Sequence, residues 1–179
     1  MHIILSLFNG LYYCYSVNSM KYHTIDKNSI ENVLERAKQY RSLLQPEMAI
    51  SICLDIFAVD KNNQDTLVIY ILALTDQLGQ SESKIHHKKI TDSIKRLDSD
   101  FLRHYYTGIF LERQARSLLN HSMSRSFAYS AFKEAIAEFE IAEKMAPEHC
   151  ADPILRYNSC VRTIKKENLL PRQEYDDLY

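Results

Sequence analysis

Apolar residues recur at three- and four-residue intervals along most of this chain. The runs are broken by proline or by clusters of polar residues, and hardly ever by glycine. Only three glycines and four prolines occur in 179 residues, too few for a turn-rich β fold, so the periodicity is read as helical. The first run shows the pattern. Ile30, Val33, Leu34, Ala37 and Tyr40 form one stripe, with Ser29 placed to cap the helix and Glu31 and Glu35 near its positive end. The residue before Pro46 is driven out of the α region, and Pro46 suits the first turn of the next helix, "PEMAISICLDIFAV". The turn formers "DKNNQD" end it. "DTLVIYILALTDQL" follows, apolar nearly all round and therefore expected to be central, and it stops at "GQSES".

Four further runs complete the reading. "KIHHKKITDSIKRL" is amphipathic, with Ile85, Ile90, Ile94 and Leu97 inward. "DSD" caps the long "FLRHYYTGIFLERQARSLL", and the polar loop "NHSMSRS" precedes a helix from Phe127 to Met145. Asp152 is expected to cap a last helix that carries Pro153 in its first turn and ends before Pro171. The expected fold is all-α, with about seven helices over residues 28–168, an apolar N-terminal extension over 1–27 and a loose polar tail over 169–179. "MHIILSLFNG" has no Lys or Arg before its apolar part and is too short to span a membrane. Translation is expected to begin at Met20, leaving residues 1–19 without a role in the fold; a cleaved signal peptide is the alternative.

Hydrophobic residues at 46%, charged residues at 25% and a net charge of −1 describe an ordinary globular chain with no global field toward nucleic acid or acidic membranes. Cys14, Cys53, Cys150 and Cys160 contain no CxxC pair. Cys53 and Cys160 lie on apolar stripes and are expected to be core residues in a reducing compartment, the cytoplasm.

One helix carries a more specific pattern. "KEAIAEFEIAEKMAPEH" reads Ala135-x3-Phe139-x2-Ala142-x4-Pro147, and Gly108 and Leu111 form a small-then-large pair upstream. The order recurs as Ala37-x2-Tyr40, then Ala49-x3-Cys53-x2-Ile56. This resembles the tetratricopeptide repeat (TPR), whose second helix carries A-x3-F and a closing proline. The step from Ala37 to Ala49 is twelve residues, the usual distance, whereas Gly108 to Ala135 is twenty-seven, so fifteen residues are extra and are assigned to longer helices and a longer loop. The pair between Gln64 and Leu97 carries almost none of the signature and counts as a repeat by position alone. "DPILRYNSCVRTIKKENLLPR" is similar to the last helix of a group of bacterial members of this superfamily whose activity is not known. The resemblance implies antiparallel helix pairs stacked into a short right-handed solenoid, capped by residues 152–167, with a concave groove lined by the first helix of each pair. It also implies protein–protein interaction as an adaptor or scaffold, a peptide or a partner's helix being held in that groove. The clamp of asparagine and lysine that some members use for C-terminal carboxylates has no match here.

Other chemistries find less support. The histidines (His86, His87, His104, His121, His149) and Cys150 and Cys160 lack the spacing of a closed metal site, and no metal or other cofactor is expected. Lys84, His86, His87, Lys88, Lys89, Lys95 and Arg96 cluster within thirteen positions, but aromatics for base stacking are missing and Asp92 interrupts them. Nucleic acid is therefore not the expected partner, and an RNA-associated repeat using this run is kept as an alternative, as is a chaperone for a secreted substrate. No GxSxG or phosphate-cradling loop is present, so no enzymatic activity is expected. Arg36, Arg103, Tyr106 and Arg113 are the groove residues expected from their types and positions, since tyrosine and arginine anchor interfaces. The tail "EYDDLY" is a candidate for self-association through a neighbour's groove.

Overall fold

The computed structural model describes residues 20–79, 83–119 and 124–172, with the side chains of residues 83–85 outside the described set. The expectations for residues 1–19, Cys14, Lys84, Ile85, His121 and 173–179 lie outside it. Seven α-helices are found among the described residues: α1 (Ile30–Ser42), α2 (Pro46–Val59), α3 (Gln64–Asp76), α4 (Ser83–Lys95), α5 (Asp100–Leu118), α6 (Arg125–Met145) and α7 (Asp152–Lys166). No strand occurs among those residues. The all-α expectation and its helix order therefore hold.

Two helix starts differ from expectation. Ser29 precedes α1 but makes no side-chain cap, its hydroxyl instead donating to the Asp26 carbonyl at 2.6 Å. The capping moves one turn upstream, where Asp26 Oδ1 accepts from the Asn28 amide at 2.8 Å and opens a 3₁₀ turn over Lys27–Ser29. At α7 the cap position falls on Ala151, and Asp152 is already helical beside Pro153. Its carboxylate then acts on the helix dipole instead of on an amide. The cap expected in "DSD" forms at Ser99, whose Oγ accepts from the Leu102 amide at 3.4 Å, and Asn63 Oδ1 caps α3 by accepting from the Thr66 amide at 3.0 Å.

Each helix packs on the next in sequence, α5 against α6 most extensively, and contacts also join α1 to α3, α3 to α5 and α5 to α7. The even-numbered partner runs antiparallel in the α5–α6 pair. His104 meets Glu138, whereas Arg116, three turns further along α5, lies over Phe132, earlier in α6. α3, α5 and α7 run parallel, Gly79, just past α3, lying beside Ser117 of α5. Leu72 and Asp76 of α3 meet Arg113 of α5, while Glu112 and Arg116 of α5 meet Arg156 and then Ser159 of α7.

Two apolar clusters make the core. Leu34, Ala37, Cys53, Ile56, Leu67, Ile71, Leu74, Ile90 and Leu97 join α1 to α4, and Phe132, Ala135, Phe139 and Cys160 join α5 to α7. Tyr106 packs against both. As expected, α3 is central, burying eight of its thirteen residues. The small residues of the quoted pattern lie where helices approach most closely: Ala37, Ala49, Ala135 and Ala142 are all wholly buried. Gly108 is in contact with the Phe139 ring, and a Cβ there would sit 2.5 Å from Cε1.

Candidate functional site

Along α1, α3, α5 and α7 four arginines, Arg41, Arg113, Arg116 and Arg156, meet two carboxylates, Asp76 and Glu112. Arg113 reaches from the middle of α5 to the last turn of α3. Its Nη1 donates to the Leu72 carbonyl at 2.9 Å, Thr75 Oγ1 at 2.5 Å and Asp76 Oδ1 at 2.5 Å. A cation on the carbonyl end of α3 also complements that helix's dipole. Arg41, at the end of α1, approaches the same carboxylate from the other side. Its Nε lies 2.7 Å from Asp76 Oδ2, as an ion pair outside good hydrogen-bond alignment, and its Nη2 donates to Oδ1 at 3.4 Å. Asp76 thus ties three odd-numbered helices together.

A second knot lies on the α7 side. Glu112 is 1% exposed on the buried stripe of α5. Its Oε1 accepts from Arg116 Nε at 3.0 Å and Nη2 at 2.8 Å, a two-toothed pairing that offsets the cost of burying the charge. Its Oε2 has Arg156 Nη1 at a longer 3.5 Å, and Arg116 Nη2 also donates to Ser159 Oγ at 2.9 Å.

Tyr106 lies on α5 two turns before Arg113 and packs against both apolar clusters. Burial pushes its hydroxyl up to about 12, Tyr105 and Asp152 add to the shift, and Arg41 and Arg156 oppose it. Burial also lowers Arg113, with Asp76 holding it up and Arg41 and Arg156 repelling it. Tyr105 packs edge-on to Tyr106 at 5.2 Å and stacks on Phe101 at 5.9 Å. Beside Arg41 opens a cleft of about 460 Å³, lined by Arg41, Ser42, Leu44, Pro46, Glu47 and Asp76.

Of the four residues expected in a groove, Tyr106 and Arg113 share one side of α5, seven positions apart, two helical turns. Arg36 is exposed on α1 but five positions before Arg41, which places it about 140° around the helix. Arg103 turns back to the corner between α4 and α5, where it donates to the Leu97 carbonyl and pairs with Asp100. Arg41, Asp76, Glu112 and Arg156 were not anticipated. Glu112 was the one with a local signal, being a carboxylate on the stripe Gly108, Glu112, Ala115.

The basic run of α4 divides. Arg96 donates to the Lys61 carbonyl and lies over the Phe57 ring at 5.2 Å, and His87 packs edge-on to Phe110 at 5.1 Å. Burial, then His86, lowers His87. Lys88, Lys89 and Lys95 remain exposed. Among the described residues no three His, Cys, Asp or Glu side chains converge as metal ligands, and no helix is long and apolar enough to cross a membrane.

Comparison with protein-family models, with curated proteins and with solved structures finds no match to this chain. The side chains gathered here are mainly hydrogen-bond donors. Guanidiniums supply fixed forks of donors, and tyrosines supply apolar area with a polar tip.

Proposed function

We propose that this chain is a protein-interaction module of the TPR-like kind, an adaptor or scaffold whose odd-numbered helices line the docking groove. One observation carries the reading: Arg41 of α1 and Arg113 of α5 converge on Asp76 of α3, and Arg116 of α5 and Arg156 of α7 converge on Glu112, so guanidiniums link one odd-numbered helix to the next. In a stack of helix pairs the first helices form the inner wall, and the contacts of α1 with α3, α3 with α5 and α5 with α7 agree with such a stack. Arginine and tyrosine at the centre of a face are the residue types that anchor a partner. The occupant is a peptide or a helix offering carboxylates or backbone carbonyls. The split of the basic run weighs against RNA, because Arg96 and His87 are engaged within the fold. A reducing compartment, the cytoplasm, suits the buried free thiols of Cys53 and Cys160.

Affinity capture from the cells that make the protein, at moderate salt, tests the reading when the wild type is compared with Arg41→Gln/Arg156→Gln. A protein retained near one-to-one by the wild type and lost by the variant is expected, with the variant still folded by circular dichroism. Retention of RNA alone, or equal retention by both chains, would overturn it.

A further inference from the structure

The outer side of α2 is apolar where that of α4 is polar. The exposed residues of α2 are Glu47, Met48, Ser51, Leu54 and Ala58, of which Glu47 alone is charged. Those of α4, among the described side chains, are Lys88, Lys89, Thr91, Asp92 and Lys95. Ser51, Leu54 and Ala58 follow three- and four-residue steps and so form one stripe. Beside it opens a cleft of about 330 Å³, closed on its other side by Tyr22, His23 and Thr24 of the segment that leads into α1. Leu54 is 52% exposed, Met20 71% and Tyr22 99%. Large apolar side chains gathered in water on a globular chain mark a surface that something covers.

The chain itself supplies an occupant. Residues 1–19 join the described chain at this cleft, because Met20 stands two positions before Tyr22 on its rim. "MHIILSLFNGLYYCYSVNS" holds no Asp, Glu, Lys or Arg, so laying it on an apolar stripe buries none of those charges. Its run nearest the cleft is "LYYCYSV", residues 11–17, set off by Asn9 and Gly10. We propose that residues 11–17 lie along the Ser51–Leu54–Ala58 stripe of α2 in the same chain and close the cleft against Tyr22. The lengths agree. The fourteen residues of α2 run about 21 Å, seven extended residues span at most about 25 Å, and residues 18–21 remain to make the turn. Ser51 and Asp55, both at the cleft, offer acceptors to the hydroxyls of Tyr12, Tyr13 and Tyr15. Tethering favours this occupant over a second copy, since a segment held by a short linker is present at millimolar effective concentration. The expectation that residues 1–19 have no role in the fold is thereby replaced. None of the residues around Asp76 and Glu112 takes part, so the inference stands apart from the docking reading.

Thiol labelling of the full chain reads the cover directly. Ser51→Cys puts a reporter on the stripe and Ser130→Cys an exposed control on α6, with the labelled sites told apart by tandem mass spectrometry. The reporter at position 51 is expected to react at least about tenfold more slowly than the control, at a rate independent of protein concentration. Leu11→Asp/Tyr13→Asp/Val17→Asp should abolish that difference with the helical circular dichroism unchanged, and Tyr13→Asp alone serves where the triple variant does not fold. Equal rates at the two positions, or slow reaction at 51 that survives these substitutions, would overturn the proposal. So would protection that grows with protein concentration, which assigns the face to a second copy, and a natural chain found by N-terminal sequencing to begin at Met20. Capture of another protein through Arg41 and Arg156 is a separate readout, so either reading can fail while the other stands.

Discussion

Cys53 and Cys160 are both 0% exposed, one in each apolar cluster. Burial pushes each thiol up to about 12, with Glu112 adding to the shift at Cys160. A thiol held protonated is neither a nucleophile nor a metal ligand. We expect both to resist alkylation at pH 8 in the native protein and to react only on unfolding. Mass spectrometry of the native and denatured reactions checks this, and rapid native labelling at either position would contradict it. The same shifts set an alkaline limit to stability. Between their ordinary value of 9.0 and the folded value near 12, the folded state keeps protons that the unfolded state has lost. Stability is therefore full below pH 9 and falls as pH rises above it, by about 1.4 kcal/mol per unit for each buried thiol. Melting temperatures measured from pH 8 to 11 should decline, and Cys53→Ala should flatten the slope even though it lowers stability overall.

At the scale of the element, the α5–α6 pair shows why a small residue and an aromatic ring had to be matched. A Cβ on Gly108 would lie 2.5 Å from Phe139 Cε1 and 2.7 Å from Cδ1. Gly108→Ala gains up to about 1 kcal/mol of helix propensity, but overpacking costs about 1–3 kcal/mol. The expected net loss is roughly 0–2 kcal/mol by urea denaturation. Combined with Phe139→Leu, which opens space for the new methyl, the two losses should sum to less than their separate values. A stabilised Gly108→Ala would show that the two helices do not approach this closely. The helices and their small-residue contacts were legible in the sequence because they depend on local spacing. Pro46 starts α2, and Ala135, Phe139 and Ala142 sit on one buried stripe of α6. The two caps that differ depend on geometry that spacing does not specify: Ser29 is already αR at φ −90° and ψ −4°, so its hydroxyl turns back to Asp26 instead of forward.

At the scale of the whole molecule, the face was only partly legible. Tyr106 and Arg113 share one helix, so their common direction follows from a spacing of seven. Arg41, Asp76 and Arg156 belong to three separate helices, and only the packing of those helices on α5 sets Asp76 between Arg41 and Arg113 and Arg156 beside Glu112. That packing depends on which core residues interdigitate across α2, α4 and α6, which no local pattern states. Arg103 illustrates the reverse. It lies one turn before Tyr106, yet the unpaired carbonyl of Leu97 and the carboxylate of Asp100 draw it to the corner. The central claim is that partners dock on the odd-numbered face, and site-specific photocrosslinking tests it most directly. A benzophenone amino acid placed at Ser42, exposed beside the cleft, is compared with the same group at Lys133, exposed on α6. A discrete crosslinked protein is expected from position 42 and none from position 133. Equal products from both positions, or a product from 133 alone, would contradict it.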